Sequence, residues 1–164
     1  MVNVIKKLIL VRHGKACGLK PGQSDFDREL TDEARSFLAS VDGFMRSFYL
    51  LDAHSASHAT LWSSPAVRAM QTAQEVDRAL GFDHDIVPVD SIWEQDADTF
   101  AEQLATTDAD CLVVVGHIPM LNEMVERLSG VELSLKPGGM AAIDMDDSGR
   151  SGMLEWFVQG PVSD

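Results

Sequence analysis

Two histidines stand directly behind short apolar runs: His13 follows Leu8-Ile9-Leu10-Val11 and Arg12, and His117 follows Leu112-Val113-Val114-Val115 and Gly116. In an open α/β sheet, ligands bind beyond the carboxyl ends of parallel strands, so two such runs lying side by side would bring both imidazoles over one crevice. Gly14 and Gly116 flank the pair and leave room for a ligand to approach the backbone. Three arginines have positions that suit an anion there. Arg12 precedes His13, Arg28 lies in a loop before Thr31, and Arg68 falls in the first turn of a helix opening near Ser64. A guanidinium at the positive end of a helix dipole adds forked donors where an anion is already favoured. Taken singly, each residue has an ordinary reading as a structural histidine or a solvated arginine. Their conjunction points to an oxyanion site, and spacing alone leaves open which histidine would attack.

The elements that must hold these residues follow from periodicity. Leu8–Val11 reads as a buried strand. Thr31 reads as a helix N-cap with Asp32 and Glu33 in the first turn, and the stripe Ala34, Phe37, Leu38, Val41, Met45 and Phe48 predicts a helix to about Phe48. Ala59–Trp62 is a strand candidate. Ser64-Pro65 reads as a capping hydroxyl followed by proline at the first helical position, opening a helix that ends at Gly81. A weaker strand spans Asp85–Val89, a short helix Asp96–Leu104, a buried strand Leu112–Val115 and a helix Pro119–Gly130. Met140–Met145 and Met153–Val158 read as a hairpin about the turn Asp146-Asp147-Ser148-Gly149. Strands alternating with helices predict one three-layer α/β/α domain over residues 1–164, with a mostly parallel central sheet.

Bulk properties narrow the partners. With 13 Lys and Arg against 26 Asp and Glu, the net charge of −13 disfavours nucleic acid and anionic membranes. The apolar run behind Met1–Lys7 is too short for a signal-peptide core or a membrane span. Cys17 and Cys111 read as two free thiols in a reducing cytosol, which places the protein in the cytoplasm. His54 and His58 have the spacing of a helical metal pair, but Ser55-Ala56-Ser57 reads as loop, so no metal is expected. His84, in an acidic turn, is expected to face solvent. There is no phosphate-binding Walker loop and no dinucleotide fingerprint, and no cofactor is expected.

Leu10-Val11-Arg12-His13-Gly14 resembles the opening of the histidine phosphatase (phosphoglycerate mutase-like) superfamily. Three further segments resemble that family in the same order: Arg28-Glu29-Leu30-Thr31, Ser63 to Ala73 with its Ser64-Pro65-x-x-Arg68-Ala69-x-Gln71-Thr72-Ala73 pattern, and Val115-Gly116-His117. The short chain and the Arg-His-Gly-Lys-Ala opening are most similar to SixA-type phosphohistidine phosphatases, which lack the inserted helices that cover the site in mutases. The resemblance implies that His13 is the phosphorylated nucleophile and that Arg12, Arg28, Arg68 and His117 form the phosphate pocket, with no metal. Neutral imidazole attacks phosphorus in line while cations stabilise the equatorial oxygens. Glu94 is the candidate acid for the leaving group, with Asp25 and Asp96 as rivals, because the family's usual continuation after that Glu is missing. The implied substrate is phosphohistidine in a protein. The alternatives are a small phosphorylated metabolite such as a sugar phosphate, or a catalytically silent phosphate-binding module. The oligomeric state is not encoded in any motif.

Overall fold

The computed structural model describes residues 4–48, 51–81 and 84–160. The first three residues of the Met1–Lys7 segment fall outside that set. Six strands form one sheet: β1 (Ile5–Arg12), β2 (Ala59–Ser63), β3 (Ile86–Pro88), β4 (Ala109–Gly116), β5 (Met140–Met145) and β6 (Gly152–Val158), in the order β3-β2-β4-β1-β5-β6. The first four are mutually parallel, and the β5–β6 hairpin adds an antiparallel edge. The helices are α1 (Asp32–Ala39), α2 (Ala53–Ser57), α3 (Val67–Leu80), α4 (Asp90–Trp93), α5 (Ala97–Ala105) and α6 (Met120–Ser129).

The two central strands explain the three layers. Alternate residues of a strand face opposite sides of its sheet, and both sides here are dry. Leu8 and Leu10 of β1 join Leu112 and Val114 of β4 in one core, with Ile92, Phe100, Leu121 and Met124 from α4, α5 and α6. Ile9 and Val11 join Val113 and Val115 in the other, with Leu38 of α1 and Ala69, Ala73 and Val76 of α3. Each fully buried aliphatic side chain contributes about 1.5–3 kcal/mol, so these strands anchor the fold. Cys111 sits in this interior and burial pushes its thiol up to about 11, whereas Cys17 is partly exposed; both are free.

Several expectations need correction. The helix read to Phe48 stops at Ala39. Ser40 turns extended, and its backbone N–H and hydroxyl both donate to the Phe37 carbonyl, which ends the helix. An irregular π-type turn follows over Val41–Met45 around a non-helical Gly43, where a Cβ would strike the carbonyls of Phe37 and Leu38. Phe37, Val41 and Met45 are consequently exposed, and Phe44 takes the buried place. Ser64 does not cap α3: its N-cap is Ala66, and Ser64 Oγ instead accepts the Ala66 N–H at 3.2 Å. His54 lies in the short helix α2 rather than in a loop, and His58 is that helix's C-cap. His84 does not face solvent. Its ring bridges Asp77 Oδ1 (Nδ1, 2.9 Å) and the Ala56 carbonyl (Nε2, 2.8 Å). Thr31 does cap α1, accepting from the Ala34 N–H at 3.0 Å. Among the described residues, no helix is long and apolar enough to cross a membrane.

Candidate active site

The strand register sets the centre of the site. Arg12 of β1 pairs with Gly116 of β4, so His13 and His117 each emerge one residue beyond the same rung. The His13 N–H donates to the Gly116 carbonyl at 3.0 Å, and the two rings lie with centroids 5.0 Å apart. His13 Nδ1 is 2.6 Å from the Gly14 carbonyl. A carbonyl only accepts, so Nδ1 carries the proton and Nε2 keeps a free lone pair. The Gly14 N–H in turn donates to Thr72 Oγ1 of α3 at 3.1 Å, and the neighbouring Gln71 accepts from the Leu30 N–H at 2.8 Å. One helix thus fixes both loops that frame His13.

The cations converge from separate elements. Arg12 Nη1 donates to the Leu135 carbonyl at 2.8 Å, which ties it to the loop before β5. Arg68 is 5% exposed and sits at the second position of α3. Its Nη1 reaches the Asp25 carbonyl at 2.7 Å and its Nη2 the Asp25 carboxylate at 3.3 Å, while its Nε is buried without a hydrogen-bond partner. Arg28 Nε meets the other Asp25 oxygen at 2.8 Å, and its Nη1 reaches the Cys17 carbonyl at 3.1 Å. Asp25 therefore holds the place between two guanidiniums where another oxyanion would fit. His117 is 6% exposed and its Nε2 lies 2.8 Å from Ser64 Oγ.

These groups line an open depression of about 370 Å³ with Trp93, Gln95 and Ile118. A larger cavity of about 540 Å³ lies beside Phe37, Gly43 and Val158, but it gathers no histidine and one arginine, so chemistry rather than size picks out the smaller one. Among the described residues, only β3 and α4 intervene between α3 and α5, so no inserted helical pair covers the depression there. Arg12, Arg28, Arg68, His13 and His117 are brought together as the sequence suggests. Glu94 is not among the lining residues; it is exposed at the end of α4. Asp96 is spent as the N-cap of α5, accepting from the Thr99 N–H and hydroxyl. Asp25 is the carboxylate that lines the depression. Sequence reasoning missed Trp93, Gln95, Ser64 and Thr72; the last two lay inside the quoted Ser-to-Ala motif, and an aromatic before Glu94 was the visible sign of the first. Among the described residues, no group of three His, Cys, Asp or Glu is placed to hold a metal.

The electrostatics favour neutral imidazoles. Burial, then His117, and to a smaller extent Arg68 and Arg12 hold His13 down at about 3, against an upward pull from its bond to Gly14. Burial and then Arg68 take His117 to about 4. Burial is the larger cause for both rings, and the positive neighbours add to it. Burial pushes the Asp25 carboxyl up, but Arg68 and Arg28 outweigh it and keep it below the usual range.

Comparison with known proteins agrees with this fold. No curated protein matches the chain. The candidate phosphohistidine phosphatase SixA of Agrobacterium tumefaciens superposes with a TM-score of 0.74 at 25% identity, covering 93% of this chain and 97% of that one. The protein histidine phosphatase SixA complexed with tungstate gives 0.73 at 20% identity, covering 93% and 96%. A mycobacterial glucosyl-3-phosphoglycerate phosphatase gives 0.63 at 13% identity, covering 97% and 100%. The model of the histidine phosphatase superfamily (branch 1) matches residues 8–110, which take in His13, Arg28 and Arg68 and stop short of His117. With well over half of its length inside that match, the protein belongs to the histidine phosphatase superfamily and is a phosphohydrolase.

Proposed function

We propose that the protein is a single-domain cytoplasmic phosphatase that removes phosphate from phosphohistidine in a protein, through a covalent intermediate on His13. The observation that carries this reading is the state of the His13 ring: Nδ1 is held by the Gly14 carbonyl, and Nε2 is left as a free lone pair in a pocket of arginines. Nε2 attacks phosphorus, the bond to the leaving nitrogen breaks, and the electron pair leaves with the substrate's imidazole. Arg12, Arg28 and Arg68 take the three peripheral oxygens, with the phosphoryl displacing the Asp25 carboxylate from the two guanidiniums. When the Ser64 hydroxyl donates to His117 Nε2, the Nδ1 proton of that neutral ring is available to the phosphoryl. Water then attacks phospho-His13, releasing inorganic phosphate and restoring the neutral ring.

The leaving group supports phosphohistidine over a phosphate ester. The lining carboxylate, Asp25, is held ionised by two arginines and so is a poor acid. An alkoxide needs a proton from such a group. A phosphorylated imidazole takes its proton from water on the other ring nitrogen and leaves neutral. The uncovered depression also admits a side chain standing on a protein surface, and the two free thiols suit a reducing compartment.

The test is turnover of a phosphohistidine protein, of a panel of sugar phosphates and of p-nitrophenyl phosphate in EDTA, with quenching for phosphoenzyme, in wild type and His13→Ala. Acid-labile phosphate on His13 and loss of turnover in the variant are expected. Substantial turnover by His13→Ala would overturn the mechanism, and faster turnover of sugar phosphates than of phosphohistidine would overturn the substrate.

A further inference from the structure

Above the cations, the wall of the depression is aromatic. Trp93 ends α4 and is partly exposed; its ring lies 5.5 Å from that of His117, 5.6 Å from the Arg68 guanidinium carbon and 5.2 Å, edge to face, from Phe26. We propose that Trp93, backed by Phe26, is a stacking wall that makes the enzyme select substrates whose phosphoryl group is bonded to a flat ring. This deepens the phosphohistidine reading and rests on it, since the ring concerned would be the leaving imidazole.

Trp93 is held too firmly to be incidental. Its neighbour Ile92 is fully buried and seated on Gly116, where an added Cβ would come within 2.7 Å of Ile92 Cγ2. That contact registers α4 on the residue preceding His117. On the other side Gln95 adopts a left-handed backbone, φ 57°, an uncommon state for a residue with a side chain. Its side-chain carbonyl accepts the Met120 N–H at 2.9 Å and its amide donates to the Ile92 carbonyl at 3.1 Å. The turn carrying Trp93 is therefore clamped at both ends. The same bonds take one N–H and one carbonyl lone pair of Gln95, the neutral polar side chain of the wall, and fix its amide in place, which leaves half of its hydrogen-bonding capacity for a sugar hydroxyl. Ile118 is apolar. What the wall offers a leaving group is a flat π surface, which prefers offset or edge contact with another ring.

Selectivity is read as a ratio of kcat/KM between two phosphoramidates, N-phosphoimidazole, which has a ring, and phosphoramidate, which has none. Phenyl and cyclohexyl phosphate form a parallel pair of flat and puckered esters. Wild type is compared with Trp93→Leu, which keeps apolar bulk, Trp93→Phe, which keeps a ring, and Phe26→Leu. Trp93→Leu is expected to lower the ring-to-ringless ratio roughly five- to tenfold, with most of it recovered in Trp93→Phe and a smaller fall in Phe26→Leu. A ratio unchanged by Trp93→Leu, with both rates falling together, would reduce Trp93 to packing for Arg68 and overturn the proposal. If wild type cleaves neither phosphoramidate, the phosphohistidine reading fails, and the phenyl-to-cyclohexyl ratio still decides whether Trp93 selects flat rings.

Discussion

Thr72 is fully buried in α3, and its hydroxyl sits between two elements: it accepts the Gly14 N–H at 3.1 Å and donates to the Arg68 carbonyl at 2.8 Å. Thr72→Val conserves shape and removes only the hydroxyl. The Arg68 carbonyl still has the helical N–H of residue 72, so it is not orphaned. The buried Gly14 N–H is, and leaving such a donor unpaired costs about 1–3 kcal/mol, partly offset by the extra buried methyl. A net loss of about 1–2 kcal/mol corresponds to roughly 2–8 °C in Tm for a chain of this size. Function should suffer more than stability. The peptide plane that bears the Gly14 N–H also carries the His13 carbonyl, so turning it to find a new partner re-aims the His13 backbone and disturbs the 2.6 Å contact of His13 Nδ1 with the Gly14 carbonyl in the next peptide. Displacement of a nucleophile by a fraction of an ångström to an ångström costs about 10- to 100-fold in turnover. Urea unfolding and quench measurements of His13 phosphorylation read the two effects, and Thr72→Ser should restore both. A Thr72→Val enzyme within about 0.5 kcal/mol of wild type and with unaltered turnover would refute the reasoning, because the buried N–H would then have cost nothing.

Acidification tests the neutral histidines. Both have folded values far below 6.5, about 3 for His13 and about 4 for His117, so below pH 6.5 the unfolded chain binds more protons. Their contribution is complete above pH 6.5 and lost as pH falls towards those values; between pH 7.5 and 5 each should remove about 1–2 kcal/mol, and His117→Asn should flatten the slope in paired urea melts. A variant as acid-sensitive as wild type would count against a buried neutral ring. Asp25→Asn removes the carboxylate that competes for Arg28 and Arg68, and inorganic phosphate should then inhibit about two- to fivefold more tightly, a gain scaled to a half-exposed ion pair. Weaker inhibition would show that Asp25 assists the anion. Gly116→Ala should destabilise by about 1–3 kcal/mol because the new methyl meets Ile92, and adding Ile92→Ala should relieve part of that strain in a double-mutant cycle. Strict additivity would mean the two do not touch.

What the sequence disclosed, and what it hid, follows from the range of the interactions involved. β1 and β4 were legible because an unbroken aliphatic run has few fates other than a strand buried on both faces. Gly81 and Gly130 marked their helix ends correctly, both with left-handed backbones. The run from Ala34 to Phe48 kept helical spacing, yet Ser40 and Gly43 broke it, because side-chain bonding to a carbonyl and close approach of two backbones leave no trace in periodicity. At the site, the two histidines and three arginines were visible as types at ordered positions. The role of Asp25 was not, since it depends on Arg68 reaching across 43 residues. Glu94 and Trp93 illustrate the same limit: neighbours in sequence at the end of a short helix, they face different ways, and the aromatic rather than the carboxylate lines the depression.

The rung that pairs Arg12 with Gly116 acts as a ruler. Because each histidine is the next residue beyond it, the gap between the two rings, 5.0 Å, is close to the spacing of adjacent strands, a dimension of the backbone itself. It cannot be adjusted gradually by exchanging side chains; a slip of one residue would move a ring by about 3.3 Å and turn it to the other face. The residues that line the depression beside the rings, Asp25, Arg28, Trp93 and Gln95, come from a short 3-10 turn over Asp25–Asp27 and from the end of α4, which take no part in that register. A designer seeking a new leaving group has those segments to rewrite, while the spacing of the two histidines stays locked in the sheet.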